Sequence, residues 1–407
     1  MKVRSTTVAV VSLLVVAGHP LPNANAAVMF DVEVGRFFDE SDHTAESMRF
    51  FPASIKVVPG DTIHFSTKSF HGVTLLPTDQ QPETWSANNA SPGGPWSVFE
   101  SDPDEGVNAA RVNLTIATPS GPCGWPTQEP CEFDGSGDEV FGPLNSGLPL
   151  FPGESGTETR QLSFDVTITA DPGTTIYALD PLHPAMTMQI DVVDTFTERS
   201  DPIELDTESD QQFADDQTRA TELDTTYSKK KVKKSVKGKT VWKAWAGLEE
   251  EGISLRRMYP KKLTIKPGNR VRWNFSTNLY EAHSVTFPQT RAVALAGAFP
   301  DIVCDSNGDQ DPAPDSEPSS DDFPFCASFA ELELDVPPAM VVKSGDGVVK
   351  STKDIEASGA RGATYAPTAK SYELSFPKKS SRSGFKYACA IHEAAHAPMR
   401  ATVVVKR

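Results

Sequence analysis

The chain has little of the material that three broad classes of protein require. Beyond one run near its start, no apolar stretch approaches the ~20 residues that span a bilayer, which excludes an integral membrane protein. Its 38 Lys and Arg face 55 Asp and Glu, and the net charge of −17 argues against nucleic-acid binding. Long helical periodicity is also missing, and 27 Gly and 33 Pro favour an all-β fold.

The single apolar run of note lies at the amino terminus. Lys2 and Arg4 precede the apolar residues 8–17, and Ala24-Asn25-Ala26 supplies small residues at the cleavage positions. This pattern predicts a secretory signal over residues 1–26. We therefore expect a secreted or periplasmic protein, in which cysteines are interpreted first as disulfides.

Cysteine is scarce and odd in number, with five in the chain. Cys123 and Cys131 lie close together in a segment rich in Pro and Gly, and Cys304 and Cys326 bracket an acidic segment, so each pair is predicted to form a loop disulfide. Cys389 is left over. In an exported protein a lone thiol is either a liability or a reactive or metal-binding group.

The two halves of the chain repeat each other. Residues 55–65 and 263–273 both read as strand, Pro-Gly turn and strand, and residues 70–75 match 282–287. A third match pairs His183-Pro-Ala-Met186 with His396-Ala-Pro-Met399. Three matched blocks in one order indicate an internal duplication, and the short strands in each half predict two Greek-key β-sandwiches.

This pattern divides the chain into a first β-domain over 27–195, a linker over 196–238 and a second β-domain over 239–407. The linker is polar and ends in a run of lysines, which predicts a flexible, charged tether. Helix is expected only in short pieces, such as 356–359. The first domain is acidic and the second is basic outside 301–335, which favours docking of one on the other.

The second half contains the residues that a soft or borderline metal prefers. These are the thiol of Cys389, the imidazoles of His283 and His392, and the thioether of Met399, with His396 nearby. Two His, one Cys and a weak Met form the ligand set of blue-copper sites. The thiolate donates strongly to Cu(II), imidazole tolerates both oxidation states and the thioether favours Cu(I), so a rigid sandwich holding this set would reorganise little on electron transfer.

On these residues the chain resembles a tandem cupredoxin, of the plastocyanin- and azurin-like blue copper family, with the second half as the better match. The resemblance rests on the Pro267-Gly268 turn, on His283-Ser-Val-Thr-Phe287, and on Tyr387-Ala-Cys389-Ala-Ile-His392 followed by Met399 and an apolar strand. It implies one type 1 copper held by His283, Cys389, His392 and Met399. His396 is the alternative second imidazole. It also implies that the His392 imidazole lies near the surface, where electrons enter and leave.

The first half keeps only part of this ligand set. His71, His183 and Met186 are present, but Leu179 stands where the thiol is expected, and without a thiolate no blue-copper centre can form. Asp180, three residues before His183, is a candidate oxygen ligand for a weak, colourless site. A degenerate structural domain without metal is the preferred interpretation.

The resemblance leads to an exported copper protein that exchanges single electrons with a redox protein partner. The alternatives are copper storage or delivery, and a structural or adhesive sandwich that no longer binds copper. Related two-domain enzymes hold extra copper with His-x-His pairs, and this sequence contains no such pair. The sequence-based prediction is therefore that the chain is not an enzyme.

Overall fold

The computed structural model describes most of both predicted domains. The described residues are 26–90, 99–101, 110–112, 131–137, 144–147, 162–236, 239–275, 281–296, 335–336, 340, 342–362, 370–394 and 398–406. Residues 1–25 of the predicted signal, the cysteines Cys123, Cys304 and Cys326, and the alternative ligand His396 lie outside them. Among the described helices, none is both long enough and apolar enough to cross a membrane.

The first half is a sandwich of two sheets. Its strands are β1 (Met29–Phe37), β2 (Ala45–Phe51), β3 (Ser54–Val57), β4 (Thr62–Thr67), β5 (Thr74–Leu76), β6 (Phe99–Ser101), β7 (Ala110–Val112), β8 (Cys131–Phe133), β9 (Leu144–Asn145), β10 (Leu162–Ile168), β11 (Thr175–Leu179) and β12 (Thr187–Val192). The strand orders of the two sheets are β2-β1-β4-β10-β8 and β3-β12-β11-β5-β9. Along β4 every second side chain is buried, as expected when one face of a strand covers a core.

The second half repeats the central strands of both sheets in the same order. The order β15-β14-β17-β21 corresponds to β2-β1-β4-β10, and β16-β23-β22-β18 corresponds to β3-β12-β11-β5. The strands are β13 (Val232–Val236), β14 (Lys239–Glu250), β15 (Ile253–Tyr259), β16 (Lys262–Ile265), β17 (Asn269–Asn274), β18 (Thr286–Phe287), β19 (Asp335–Val336), β20 (Glu356–Ala357), β21 (Ser371–Phe376), β22 (Phe385–Ala388) and β23 (Arg400–Val405). The predicted all-β fold with two sandwiches is confirmed.

Helices are few in the described part of the chain. They are Pro82–Trp85, which continues as a π-helix over Ser86–Ala90, then Pro202–Lys229, Gln289–Ala296 and Ala390–Ala394. The short helix predicted over 356–359 is wrong, because Glu356 and Ala357 form strand β20 and pair with β18.

The two halves meet edge to edge. Strand β2 pairs antiparallel with β15, so one continuous sheet runs through both sandwiches, and its register places Glu46 opposite Ser254. We call this β2–β15 pairing the junction. Arg257 of the second half also donates to Asp42 of the first half at 3.1 Å. The junction thus brings charged side chains of both halves within reach of one another.

The prediction of a flexible linker over 196–238 is wrong. Its centre is the 28-residue helix Pro202–Lys229, here called the connecting helix, whose first turn is capped because Asp201 Oδ1 accepts from the Ile203 N–H at 2.8 Å. Ala220 and Leu223 are buried in a cluster with Trp245, Leu255 and other residues near the junction. The apolar face is narrow, so overall composition conceals it.

The lysine-rich end of the predicted linker is also ordered. Val232–Val236 forms strand β13, which pairs antiparallel with β14 of the second sandwich. Two adjacent lysines at the centre of this strand are exposed, and charged side chains are tolerated there because an edge strand faces solvent on its outer side.

The predicted disulfide between Cys123 and Cys131 is not found in the described part of the chain, where Cys131 is a free cysteine. On β8 the side chains of Cys131 and Phe133 are buried while that of Glu132 is exposed. Cys131 therefore packs as a small apolar residue in the core of the first sandwich, with Phe164, Val166 and their neighbours.

Candidate metal centre

Three side chains of the second half converge at one end of its sandwich. His283 lies just before β18, and its backbone is fixed by paired hydrogen bonds with Arg361 at 2.7 and 2.8 Å. Cys389 follows β22, and His392 lies on the short helix that begins at Ala390. All three are buried, and we call them the C-terminal cluster.

The donor atoms of the C-terminal cluster lie close enough to share one ion. His283 Nδ1 is 3.2 Å from His392 Nδ1, and Cys389 Sγ is 3.4 Å from His392 Nδ1. One ligand atom from each residue falls within 4.8 Å of the others. The predicted ligands His283, Cys389 and His392 are therefore brought together, and they form a possible metal site.

Hydrogen bonds hold the sulfur of Cys389 in place. The Ser284 N–H donates to Sγ at 3.2 Å, and the Ala390 N–H donates to the Ser284 hydroxyl at 2.8 Å. The Cys389 N–H donates to the carbonyl of Met399 at 3.0 Å. Met399, which is 1 % exposed, belongs to the same buried cluster as Cys389. The predicted fourth ligand thus lies in the segment next to the thiol.

The electrostatics of the cluster favour the thiolate, the form that binds metals. Burial by itself raises the pKa of Cys389, but attraction to His392 and hydrogen bonds from both imidazoles hold that pKa well below its usual value. Burial works against a charged imidazole too, yet hydrogen bonds to Cys389 and Glu249 raise the pKa of His283 to about 9. The pKa of His392 is raised, against burial, by Cys389 and Glu281.

A glycine that the sequence did not single out makes room for the imidazole of His283. Gly247 has a φ of +74°, and a Cβ built on it would lie 2.0 Å from His283 Nε2. Gly35 has the same role in the first half, where an added Cβ would lie 2.2 Å from His71 Nε2. The two glycines are separated by the same interval as His71 and His283, so the internal repeat carried a signal for both.

Two buried carboxylates behind the imidazoles were also missed. His283 Nε2 lies 3.4 Å from Glu249 Oε1, and His392 Nε2 lies 3.6 Å from Glu281 Oε2. The Glu281 N–H donates to Glu249 Oε1 at 3.1 Å. His392 is 5 % exposed and turned toward Glu281, so the expectation that its imidazole lies near the surface is wrong.

The first half brings together its own candidates. His71 Nδ1 and His183 Nδ1 each lie 2.6 Å from Asp180 Oδ2 and 3.1 Å from each other, and all three side chains are buried. We call these residues the N-terminal cluster. Met186, also buried, accepts the Asp180 N–H on its carbonyl at 3.1 Å. Asp180, rather than Leu179, therefore occupies the position that corresponds to Cys389.

A chain of buried charges crosses the junction between the two clusters. Glu46 lies 2.7 Å from His71 Nε2 and is also paired with Arg256, whose Nε donates to Glu281 at 2.7 Å. Burial by itself raises the pKa of Glu46, but Arg256 and His71 lower it to about 2. Burial opposes the charge on Arg256, while Glu281 and Glu46 raise its pKa. No sequence motif marks this row of buried charges, because strand pairing between the halves brings its members together.

Comparison with known proteins gives matches at the level of structure. No protein-family model matches the chain, and no curated protein matches it. Plastocyanin from Dryopteris crassirhizoma is 17 % identical over 40 % of this chain and 98 % of its own, with a TM-score of 0.18. Auracyanin A from Chloroflexus aurantiacus is 13 % identical over 42 % of this chain and all of its own, with a TM-score of 0.20.

Other matches extend over both halves and correct one prediction. A copper-containing nitrite reductase from Thermus scotoductus is 11 % identical over 93 % of this chain and 68 % of its own, with a TM-score of 0.19. Several further matches are multicopper oxidases. The prediction that the chain is not an enzyme is contradicted, since several of the matched structures are copper enzymes, at about 10 % identity. The strand order itself shows two β-sandwiches of one plan, and the matched structures named above are cupredoxins and copper enzymes.

Proposed function

We propose that His283, Cys389, His392 and Met399 hold one copper ion as a type 1 centre, and that the protein uses it to carry single electrons. The observation that supports this most directly is the convergence of the buried Cys389 sulfur and one nitrogen of each imidazole within 4.8 Å of one another. Thiolate, imidazole and thioether together select copper over the harder divalent cations.

Copper bound here would supply a one-electron couple between Cu(II) and Cu(I). The protein's part is to hold the donor atoms in one arrangement for both oxidation states. Ser284 donates its N–H to the sulfur at 3.2 Å, and His283 is fixed through its backbone to Arg361. A site whose ligands are held by backbone hydrogen bonds changes little in geometry, and this favours rapid electron transfer.

The surroundings of the imidazoles support ligation through Nδ1. Glu249 and Glu281 lie near the Nε2 atoms of His283 and His392, and a carboxylate at the second nitrogen fixes the tautomer and strengthens the first nitrogen as a donor. The two rings lie with their centroids 4.7 Å apart. The arrangement thus presents both Nδ1 atoms toward Cys389.

The setting of this activity follows from the predicted signal over residues 1–26. We propose that the mature chain works in a secreted or periplasmic compartment and exchanges electrons with a redox protein there. The acidic first half and the mostly basic second half give the surface two regions of opposite charge, which would steer a charged partner.

The test is the absorption spectrum of the mature chain loaded with Cu(II). We expect an intense visible band that Cys389→Ala removes, because the band arises from the bond between copper and thiolate. The matched control is Cys131→Ala, which deletes the buried thiol of the first sandwich and should leave the band intact.

Three results would contradict the proposal. A visible band that survives Cys389→Ala would place the chromophore elsewhere. Binding of Cu(I) alone, without colour, would favour copper storage or delivery. A folded protein that binds no copper would favour a structural or adhesive role.

A further inference from the structure

The N-terminal cluster reproduces the C-terminal cluster with one ligand changed. The ring centroids of His71 and His183 are 4.9 Å apart, compared with 4.7 Å for His283 and His392. Each pair of facing Nδ1 atoms is separated by 3.1 or 3.2 Å. The frame that positions two imidazoles toward one point is therefore present in both halves.

The backbone around the anionic ligand is also repeated. The Asp180 N–H donates to the carbonyl of Met186, as the Cys389 N–H donates to that of Met399. The Gly72 N–H donates to Asp180 Oδ1 at 3.3 Å, in the place where Ser284 donates to the sulfur in the other half. Asp180 therefore takes over the position of the thiolate.

The carboxylate of Asp180 is oriented for ligation by its other oxygen. Oδ1 accepts the N–H groups of Leu182 at 2.9 Å and Gly72 at 3.3 Å. Oδ2 faces both His71 Nδ1 and His183 Nδ1 at 2.6 Å. One oxygen is thus occupied by the backbone, while the second shares a point with two ring nitrogens.

The outer contacts of His71 match those of a metal-binding histidine. Its Nε2 lies 2.7 Å from Glu46, a fully buried carboxylate. A histidine that binds a metal through one nitrogen commonly donates its other N–H to a carboxylate. Gly35 keeps this arrangement possible, because any Cβ there would overlap the His71 ring.

We propose that His71, Asp180 and His183 form a second metal site, which binds Cu(II) without a thiolate and therefore without intense colour. Two imidazoles and a carboxylate suit divalent first-row metals, and within that series Cu(II) binds most tightly to a given set of nitrogen and oxygen ligands. Met186 is buried, and its place in the first half corresponds to that of Met399 in the second half. This site is independent of the type 1 centre and goes beyond the electron-transfer proposal.

A purely structural role for the N-terminal cluster makes a different prediction. In that arrangement a protonated His71 bridges Asp180 and Glu46, and no ion binds. The two facing Nδ1 atoms argue for an ion, since they lie 3.1 Å apart and each is 2.6 Å from the same oxygen, Asp180 Oδ2. Metal binding distinguishes the two directly.

The experiment measures copper content and the electron paramagnetic resonance spectrum of the full mature chain after Cu(II) loading and removal of excess metal. We expect a His183-dependent copper with the wide hyperfine splitting of a site without thiolate. His183→Ala and Asp180→Asn should each remove that signal and one equivalent of copper. The matched control is His64→Ala, which removes a histidine of β4 that pairs with Asp165 of β10 and lies outside both clusters.

The same measurement in a Cys389→Ala background separates this proposal from the previous one. There the wide signal should persist and should still disappear when His183→Ala is added, whether or not the C-terminal cluster binds copper. Circular dichroism of each metal-free variant verifies the fold, and Asp180→Asn keeps the shape of the side chain if His183→Ala misfolds.

Two results would overturn the proposal. The first is that His183→Ala and Asp180→Asn bind as much copper as the wild-type chain. The second is a cluster that takes up Zn(II) but excludes Cu(II) when both are supplied at equal concentration.

Discussion

The two clusters place the same pair of imidazoles in the same frame and differ in the anion between them. Cys389 offers a polarisable sulfur, whereas Asp180 offers a hard oxygen held by backbone N–H groups. Duplication has therefore kept the scaffold and changed the donor. In the two proposed sites the sandwich therefore fixes where a ligand lies, while one side chain decides which metal chemistry is available.

The clusters also differ in how closely their outer carboxylates approach. Glu46 lies 2.7 Å from His71, whereas Glu249 and Glu281 lie 3.4 and 3.6 Å from the imidazoles of the second half. Arg256 joins the two sets by contacting both Glu46 and Glu281. The charge that balances these buried carboxylates thus belongs to the junction and serves both halves.

Exchanging the thiol of Cys389 and the carboxylate of Asp180 should produce the largest change in visible absorption. In the copper-loaded chain, Cys389→Asp should abolish the intense visible band while copper stays bound, because the oxygen cannot supply the transition of a thiolate. Asp180→Cys, made alone, should add a second visible band. Absorption spectroscopy with copper analysis measures both. A band unaffected by Cys389→Asp would show that the clusters do not differ as described.

Removing the shared cation should have the next largest effect. Arg256 is buried, and Arg256→Ala leaves Glu46 and Glu281 without their partner, which we expect to cost about 3–5 kcal/mol of folding free energy. The control is its neighbour Arg257→Ala, whose half-buried pairs with Asp42 and Asp224 should cost about 1 kcal/mol or less. Denaturant unfolding measures both, and equal losses would show that Arg256 does not balance the buried carboxylates.

Filling the space beside one imidazole should have a smaller effect that is confined to one half. Gly247→Ala strains a φ of +74° and pushes a methyl group into His283, whereas Gly268→Ala strains a φ of +84° with nothing within 4 Å. We expect a cost of about 1–2 kcal/mol for Gly268→Ala and about 1–3 kcal/mol more for Gly247→Ala.

The visible band distinguishes the two glycine variants further. Gly247→Ala should weaken or shift the band by displacing His283, while Gly268→Ala should leave it unchanged. If both variants kept an identical band, the close approach of Gly247 to His283 would have no part in holding the ligand.

The candidate residues of both clusters were predictable from the sequence because they follow local rules. Cys389 and His392 lie only three residues apart, and His283 precedes a strand in the position that His71 has in the first half. Turn chemistry and β-alternation gave the two sandwiches in the same way. Asp180 was noted as an oxygen donor for the same reason, since it stands three residues before His183.

The rest of the site was hidden because it depends on pairing between distant strands. Glu46 meets Arg256 only because β2 pairs with β15, and no spacing in the sequence encodes that register. His392 faces Glu281 instead of solvent, and Glu281 is held there by Ser254 and Arg256 of β15, which lie far from it in the sequence. The connecting helix was missed because its few buried residues, such as Ala220 and Leu223, are diluted among charged ones.

The most direct test of the central claim is a resonance Raman spectrum of the Cu(II)-loaded chain, excited within its visible band. The account predicts enhanced copper–sulfur stretching vibrations that disappear in Cys389→Ala and persist in Cys131→Ala. A chain that binds copper but shows no copper–sulfur vibration, or one that keeps it in Cys389→Ala, would contradict the account.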